Sequence, residues 1–112
     1  MVMDVTIQNL EAYLLERYGE DANDHGLFMK LVEEIGEVAE VLNKRTGRKK
    51  ATGEDSKVLL AEELADMIHY TVAIAAVNGI DLTQTIHDKE RRASIKYNHD
   101  RNLETFLIEN HG

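Results

Sequence analysis

The 112-residue chain has no cysteine, no proline and no tryptophan. Without cysteine there is no disulfide framework, no thiolate metal site and no thiol nucleophile, and nothing suggests secretion. Without proline, and with seven glycines falling mostly between periodic segments, long uninterrupted helices are favoured. The N-terminal Met1-Val2-Met3-Asp4 lacks a basic region followed by an apolar one, so no signal peptide is expected. The longest weakly polar run, Tyr70 to Val77, is too short to cross a bilayer, so no membrane partner is expected and the protein reads as cytoplasmic. Bases are scarce early on: residues 1–43 hold ten acids and only Arg17 and Lys30 as bases. A net charge of −8 disfavours a duplex-binding protein, because affinity for a nucleic-acid backbone needs a broad basic face.

What is present is one ordinary globular domain, residues 1–112, with 43% apolar and 30% charged residues. The spacing predicts a first helix from about Thr6 to Tyr18, ended by Gly19, and a polar connector over Asp21 to Asp24. A second helix is predicted over Leu27 to Arg45. Its apolar stripe is Phe28, Leu31, Val32, Ile35, Val38, Ala39 and Leu42, and Gly36 inside it suggests close helix packing. Thr46 to Asp55 reads as an exposed basic loop. Ser56 is a candidate cap for a third helix that ends at Asn78-Gly79. Beyond Ala65 the third helix is apolar almost all round and must be covered on every side, which predicts an oligomer with this helix at its centre. Asp81-Leu82-Thr83-Gln84 has capping-box spacing and opens a fourth helix to about His99, and Leu103 to Ile108 suggest a short fifth. No segment alternates with period two, so the fold class is all-α, a four- to five-helix bundle.

The carboxylates are the feature that needs explaining. Glu33-Glu34-Ile35-Gly36-Glu37 is followed by Glu62-Glu63-Leu64-Ala65-Asp66, and in each cluster two adjacent acids precede a third at helical spacing. On the second helix Glu33, Glu34 and Glu37 lie opposite the apolar stripe, Glu34 nearest its edge, where charged residues ordinarily face water. A solvated face, however, normally intersperses bases at i+4, whereas Glu33 meets Glu37 and Glu37 meets Val41. On the third helix Glu63 and Asp66 stand on the border of an apolar surface, where an acid is neutralised unless it is paired or binds a cation. Hard oxygen donors without histidine or cysteine favour Mg²⁺, with Mn²⁺ as a substitute. Asp66-x-x-His69 with Glu63 gives half of a carboxylate di-iron site, but the second helix offers no histidine to complete it. His69 reads instead as a hydrogen-bonded helix residue or a group at the site's edge.

Glu33-Glu34-x-x-Glu37, a 25-residue spacer and Glu63-x-x-Asp66 together resemble the EExxE…ExxD signature of MazG-like proteins, among the all-α nucleoside triphosphate pyrophosphohydrolases. The resemblance covers about residues 27–98 and includes Asn78-Gly79-Ile80-Asp81-Leu82 and Lys89. It implies that Glu34, Glu37, Glu63 and Asp66 ligate Mg²⁺ and that Glu33 assists or orients the attacking water. It also implies that Tyr70 and Lys89 contact nucleotide or phosphate. Relatives often carry asparagine four residues after that lysine. Here the position is Ala93, with Asn98 and Arg101 as a later substitute. The implied activity is Mg²⁺-dependent hydrolysis of a nucleoside triphosphate between its α- and β-phosphates, as nucleotide-pool housecleaning by a homodimer or homotetramer. Lys44, Arg45, Arg48 or the Lys49-Lys50 loop could steady the outer phosphates, and Gln8, Asn9 and Asn78 are candidate polar contacts to the nucleotide. Two alternatives are phosphoribosyl-ATP pyrophosphatase-like activity and a non-catalytic helical module that binds a nucleotide or a partner.

Overall fold

The structure is a computed structural model that describes residues 3–20, 22–46 and 53–110. Five helices follow one another: α1 (Ile7–Tyr18), α2 (Asp24–Thr46), α3 (Gly53–Val77), α4 (Leu82–Lys96) and α5 (Leu103–Glu109). There is no strand among the described residues, and no helix is long and apolar enough to cross a membrane. The predicted all-α architecture is therefore the observed one.

Short polar side chains set the helix ends. Thr6 and Asn9 form a reciprocal capping box at the start of α1, with Asn9 N donating to Thr6 Oγ1 at 3.1 Å and Thr6 N to Asn9 Oδ1 at 2.9 Å. Gly19, at φ +82°, terminates the helix as expected. The second helix starts a turn earlier than predicted, because Asn23 Oδ1 accepts from the backbone of His25 and Gly26 and supports that turn. Asn78-Gly79 ends α3 in a left-handed turn: Ile80 N donates to Ala75 O at 2.9 Å and Gly79 N to Ala76 O at 3.2 Å, the paired bonds of a Schellman stop.

Three boundary expectations need correction. Ser56 does not cap α3, which begins at Gly53 and carries Ser56 buried in its first turn. Asp81 caps α4 by accepting from Gln84 N, but the Gln84 side chain turns forward to Asp88, so only half of the capping box forms. The fourth helix stops at Lys96, short of His99, because Asn98 adopts φ +55° and turns the chain toward α5.

α2 and α3 pack as an antiparallel hairpin. Asn78 Nδ2 reaches Asp24 Oδ2 at 3.2 Å at one end, and Glu37 faces Glu63 further along. α1 lies antiparallel across α3: Tyr18 meets His69, while Glu11 Oε1 accepts from Leu82 N at 3.0 Å and supplies a second cap to α4. The core joins Leu14, Leu27, Val72, Ala73 and Ala76, whose small alanines let α1 and α2 approach α3. Leu14 is 0% exposed. Leu14→Ala should therefore cost about 2–5 kcal/mol, read as a lowered urea midpoint, with the larger value if the site does not collapse around the missing atoms.

The apolar stripe predicted for α2 is turned to α3 only along one margin, Leu31 and Val38. Leu27 is buried and Leu31, Glu34, Val38 and Val41 are half-buried, whereas Phe28, Val32, Ile35, Ala39 and Leu42 are exposed. The helix is rotated so that its Glu34 edge meets the Glu63 edge of α3. Its most apolar arc is left open, together with Leu64 and the 55% exposed Ile68 on α3. Gly36 lies on this open side, and a Cβ there would meet nothing within 4 Å, so the close packing expected at Gly36 is not found in the chain. The radius of gyration is 17.2 Å. A compact domain of this length would measure about 13 Å, so the single chain is less compact than an ordinary domain.

Candidate metal centre

Three of the four predicted ligands converge. One carboxylate oxygen from each of Glu34, Glu37 and Glu63 lies within 4.8 Å of the others, in the seam between α2 and α3. The i, i+3 spacing on α2 sets Glu34 and Glu37 on one side, and the antiparallel hairpin carries Glu63 to them from the opposite direction. Oε2 of Glu34 and Oε2 of Glu63 are both buried without a hydrogen-bond partner. Buried acceptors left in this state are costly, and a cation would satisfy them.

Electrostatics point the same way. The Glu63 carboxyl is pushed up to about 8, chiefly by hydrogen bonding with Glu37 and then with Glu34. Burial and the like charges of the same two residues add to the rise. The crowding of these carboxylates favours positive charge in the seam, whether a proton or a cation. All the donors are hard oxygens, which suits magnesium or manganese.

The flanking acids are compensated, contrary to expectation. Lys30 Nζ lies 3.4 Å from Glu33 Oε2 and Lys44 Nζ lies 3.3 Å from Glu40 Oε1, both pairs exposed. On α2 this leaves Glu34 and Glu37, which crowd Glu63 of α3, as the acids of the cluster. Asp66, one turn beyond Glu63, is exposed and outside the group of three, and Glu33 is directed to Lys30.

The other expected site residues are dispersed. Tyr70 is half-buried on α3 and packs edge-on against His69 with ring centroids 4.9 Å apart. Asn9 uses its side chain in the α1 capping box, and Asn78 uses its own to join α3 to α2, bonding Ile74 O and Asp24. Gln8 lines a cleft between α1 and the α3–α4 turn. Lys89 is exposed on α4 beside Arg92, Ala93, Lys96 and Tyr97, around a basic surface hollow well removed in sequence from the carboxylates. Arg101 is ion-paired with Glu109, and Asn98 is the left-handed turn residue, so both have structural tasks at the α4–α5 junction. Arg48, with Lys49 and Lys50, lies outside the described residues, as does the side chain of Arg45.

Two features had no sequence signal. The Tyr18 hydroxyl and His69 Nε2 share a hydrogen bond of 2.8 Å across 51 residues, tying α1 to α3 one turn beyond Asp66. It fulfils the expectation for His69, but its partner is set by the tertiary fold alone. The second is Ser56, whose buried hydroxyl has no partner.

Residues 10–93 match the phosphoribosyl-ATP pyrophosphohydrolase family. Among solved structures the chain is similar to iMazG from Vibrio DAT 722, with 30% identity over 85% of this chain and 100% of that one and a TM-score of 0.65. No curated protein matches. The matched span includes α2, α3 and all three converging carboxylates, so the chain belongs to the phosphoribosyl-ATP pyrophosphohydrolase family, within the MazG-like all-α pyrophosphatases.

Proposed function

We propose that the chain hydrolyses a nucleoside triphosphate, or a deoxynucleoside triphosphate, between the α- and β-phosphates to release monophosphate and pyrophosphate, with magnesium as cofactor. The observation that carries this reading is the convergence of Glu34, Glu37 and Glu63 in the α2–α3 seam, with one oxygen each of Glu34 and Glu63 buried and without a partner. When bound, a divalent cation supplies charge neutralisation for the phosphates and activation of water. Glu34, Glu37 and Glu63 hold it, and Asp66 completes the set after a change of rotamer on the same helix. Glu33 stands beside Glu34 and orients water from outside that set once Lys30 releases it. Tyr70 and Lys89 contact the nucleotide, with Asn9, Asn78 and Arg48 as further polar contacts. No side chain serves as a covalent nucleophile.

Phosphoribosyl-ATP is the second reading, favoured by the family to which the chain belongs. It presents the same α–β phosphoanhydride, so the same carboxylates would serve. The two are separated by measuring phosphate after added inorganic pyrophosphatase, over a panel of NTPs, dNTPs and phosphoribosyl-ATP with Mg²⁺. Turnover of at least one substrate is expected, and turnover of none contradicts the hydrolase reading in favour of a non-catalytic binding module.

Self-association belongs to the same proposal. The bare arc of Phe28, Val32, Ile35 and Leu42 on α2, with Leu64 and Ile68 on α3, is the apolar surface that a second copy would cover. Sedimentation velocity is expected to give a dimer or tetramer, and a monomer at micromolar concentration would contradict it.

A further inference from the structure

Asn78-Gly79 does more than end α3. The Asn78 side chain is exposed, but both hydrogens of its amide are taken: Nδ2 donates to Asp24 Oδ2 at 3.2 Å and to Ile74 O at 2.8 Å. The first bond ties the end of α3 to the start of α2, close to where Leu27 and Ala76 enter the core. Asn-Gly is also the pair in which an asparagine amide is most open to attack by the next backbone nitrogen, because glycine has no Cβ to hinder the approach. Gly79 is exposed, and a Cβ there would meet nothing within 4 Å, so water and base reach the pair. Hydrogen bonds hold the reaction back. The Gly79 nitrogen that would attack donates to Ala76 O at 3.2 Å, and Ile80 N, next to it, donates to Ala75 O at 2.9 Å. The same bonds fix the left-handed turn, with Gly79 at φ +68°.

We propose that Asn78 is a deamidation site that the folded hairpin keeps latched, and that its conversion unlatches that end of the hairpin for good. When the end opens locally, hydroxide removes the Gly79 amide proton and the freed nitrogen attacks Cγ of Asn78. The Cγ–Nδ2 bond breaks, Nδ2 takes up a proton and leaves as ammonia, and a five-membered succinimide remains. Water then adds to one of the two ring carbonyls and opens the ring. Aspartate results, or isoaspartate where the main-chain carbonyl is attacked, and water is the only co-reactant. The product has acceptor oxygens where the amide had two donors. Its carboxylate stands at hydrogen-bond distance from that of Asp24, so an attraction becomes a repulsion. It also adds negative charge at the C-terminal end of α3, where the helix dipole disfavours it. None of this depends on hydrolysis of a nucleotide.

The test is incubation of the full chain at about pH 8.5, folded and in guanidinium chloride, followed by peptide mass spectrometry of the segment that contains Asn78. The mass gain that marks loss of ammonia and uptake of water is expected at Asn78, about tenfold or more faster in denaturant than in the folded chain. The aged chain, returned to buffer, should melt lower than the fresh one by on the order of 4 °C. Asn78→Asp isolates the new charge from the isoaspartate backbone and should melt lower by a similar amount. The rate comparison uses the unsubstituted chain, so it stands whether or not Asn78→Asp folds. Equal rates in the two states, no mass gain at Asn78 in denaturant, or an Asn78→Asp chain that melts with the unsubstituted one overturns the proposal.

Discussion

Glu37→Gln should lower turnover of whichever nucleotide the chain hydrolyses by about 10²–10³-fold, while the protein stays folded at pH 8. The substitution preserves size and helix propensity, so the seam between α2 and α3 keeps its packing. What it removes is one anionic oxygen from a group of three whose oxygens lie within 4.8 Å. A glutamine amide can also donate to Glu63, which relieves the crowding that pushes the Glu63 carboxyl up to about 8. The variant is therefore expected to melt at or above the temperature of the unsubstituted chain in the absence of metal. Loss of activity together with retained or raised stability is the pattern of a functional carboxylate. Calorimetric melting beside the pyrophosphate-release assay reads both. Activity within threefold of the unsubstituted chain would remove Glu37 from the metal centre.

The second large effect is a stability that falls with pH and is restored by metal. Glu63 in the folded chain titrates at about 8, against 4.5 for an ordinary glutamate. Between these values the folded state holds a proton that the unfolded state has released, so stability falls as pH rises. The contribution is complete below about pH 4.5 and gone above about pH 8. Magnesium requires the deprotonated carboxylates and takes the place of the proton, so its effect grows over the same window. At a free concentration near a hundredfold its dissociation constant, it should raise the melting temperature by on the order of 10 °C at pH 8. Glu63→Gln is expected to flatten the pH profile and to abolish the magnesium effect. Melting curves by circular dichroism from pH 5 to 8.5, with and without Mg²⁺, check all of this.

The helices were legible because their signals are local. Gly19, Asn78-Gly79 and Asp81 stop or start helices through bonds to neighbours a few residues away, and the structure shows those bonds. The rotation of α2 was not legible. Its most apolar arc is Phe28, Val32, Ile35 and Leu42, and a helical wheel assigns that arc to the core. The hairpin instead buries Leu27 and half-buries only the Leu31 and Val38 margin of the predicted stripe, and this brings Glu34 to Glu63. Periodicity reports which face is apolar but not whether the same chain covers it.

The carboxylates were legible as a pattern, and their separate surroundings were not. Spacing alone placed six acids on two helices, whereas side-chain reach decided that Lys30 holds Glu33 and Lys44 holds Glu40. Ser56 shows the same limit. In sequence it reads as a cap before a helix. In the fold it is a buried hydroxyl within one, because α3 begins three residues earlier.

Calorimetric titration of Mn²⁺ at pH 7, in two buffers of different ionisation enthalpy, tests the metal centre most directly. Saturable binding is expected, with close to one proton released per ion, because Glu63 titrates at about 8 and must give up its proton to bind. In Glu63→Gln both the binding and the proton release should disappear. Absence of binding by the unsubstituted chain, or binding unchanged by Glu63→Gln, would contradict a metal centre built on Glu34, Glu37 and Glu63.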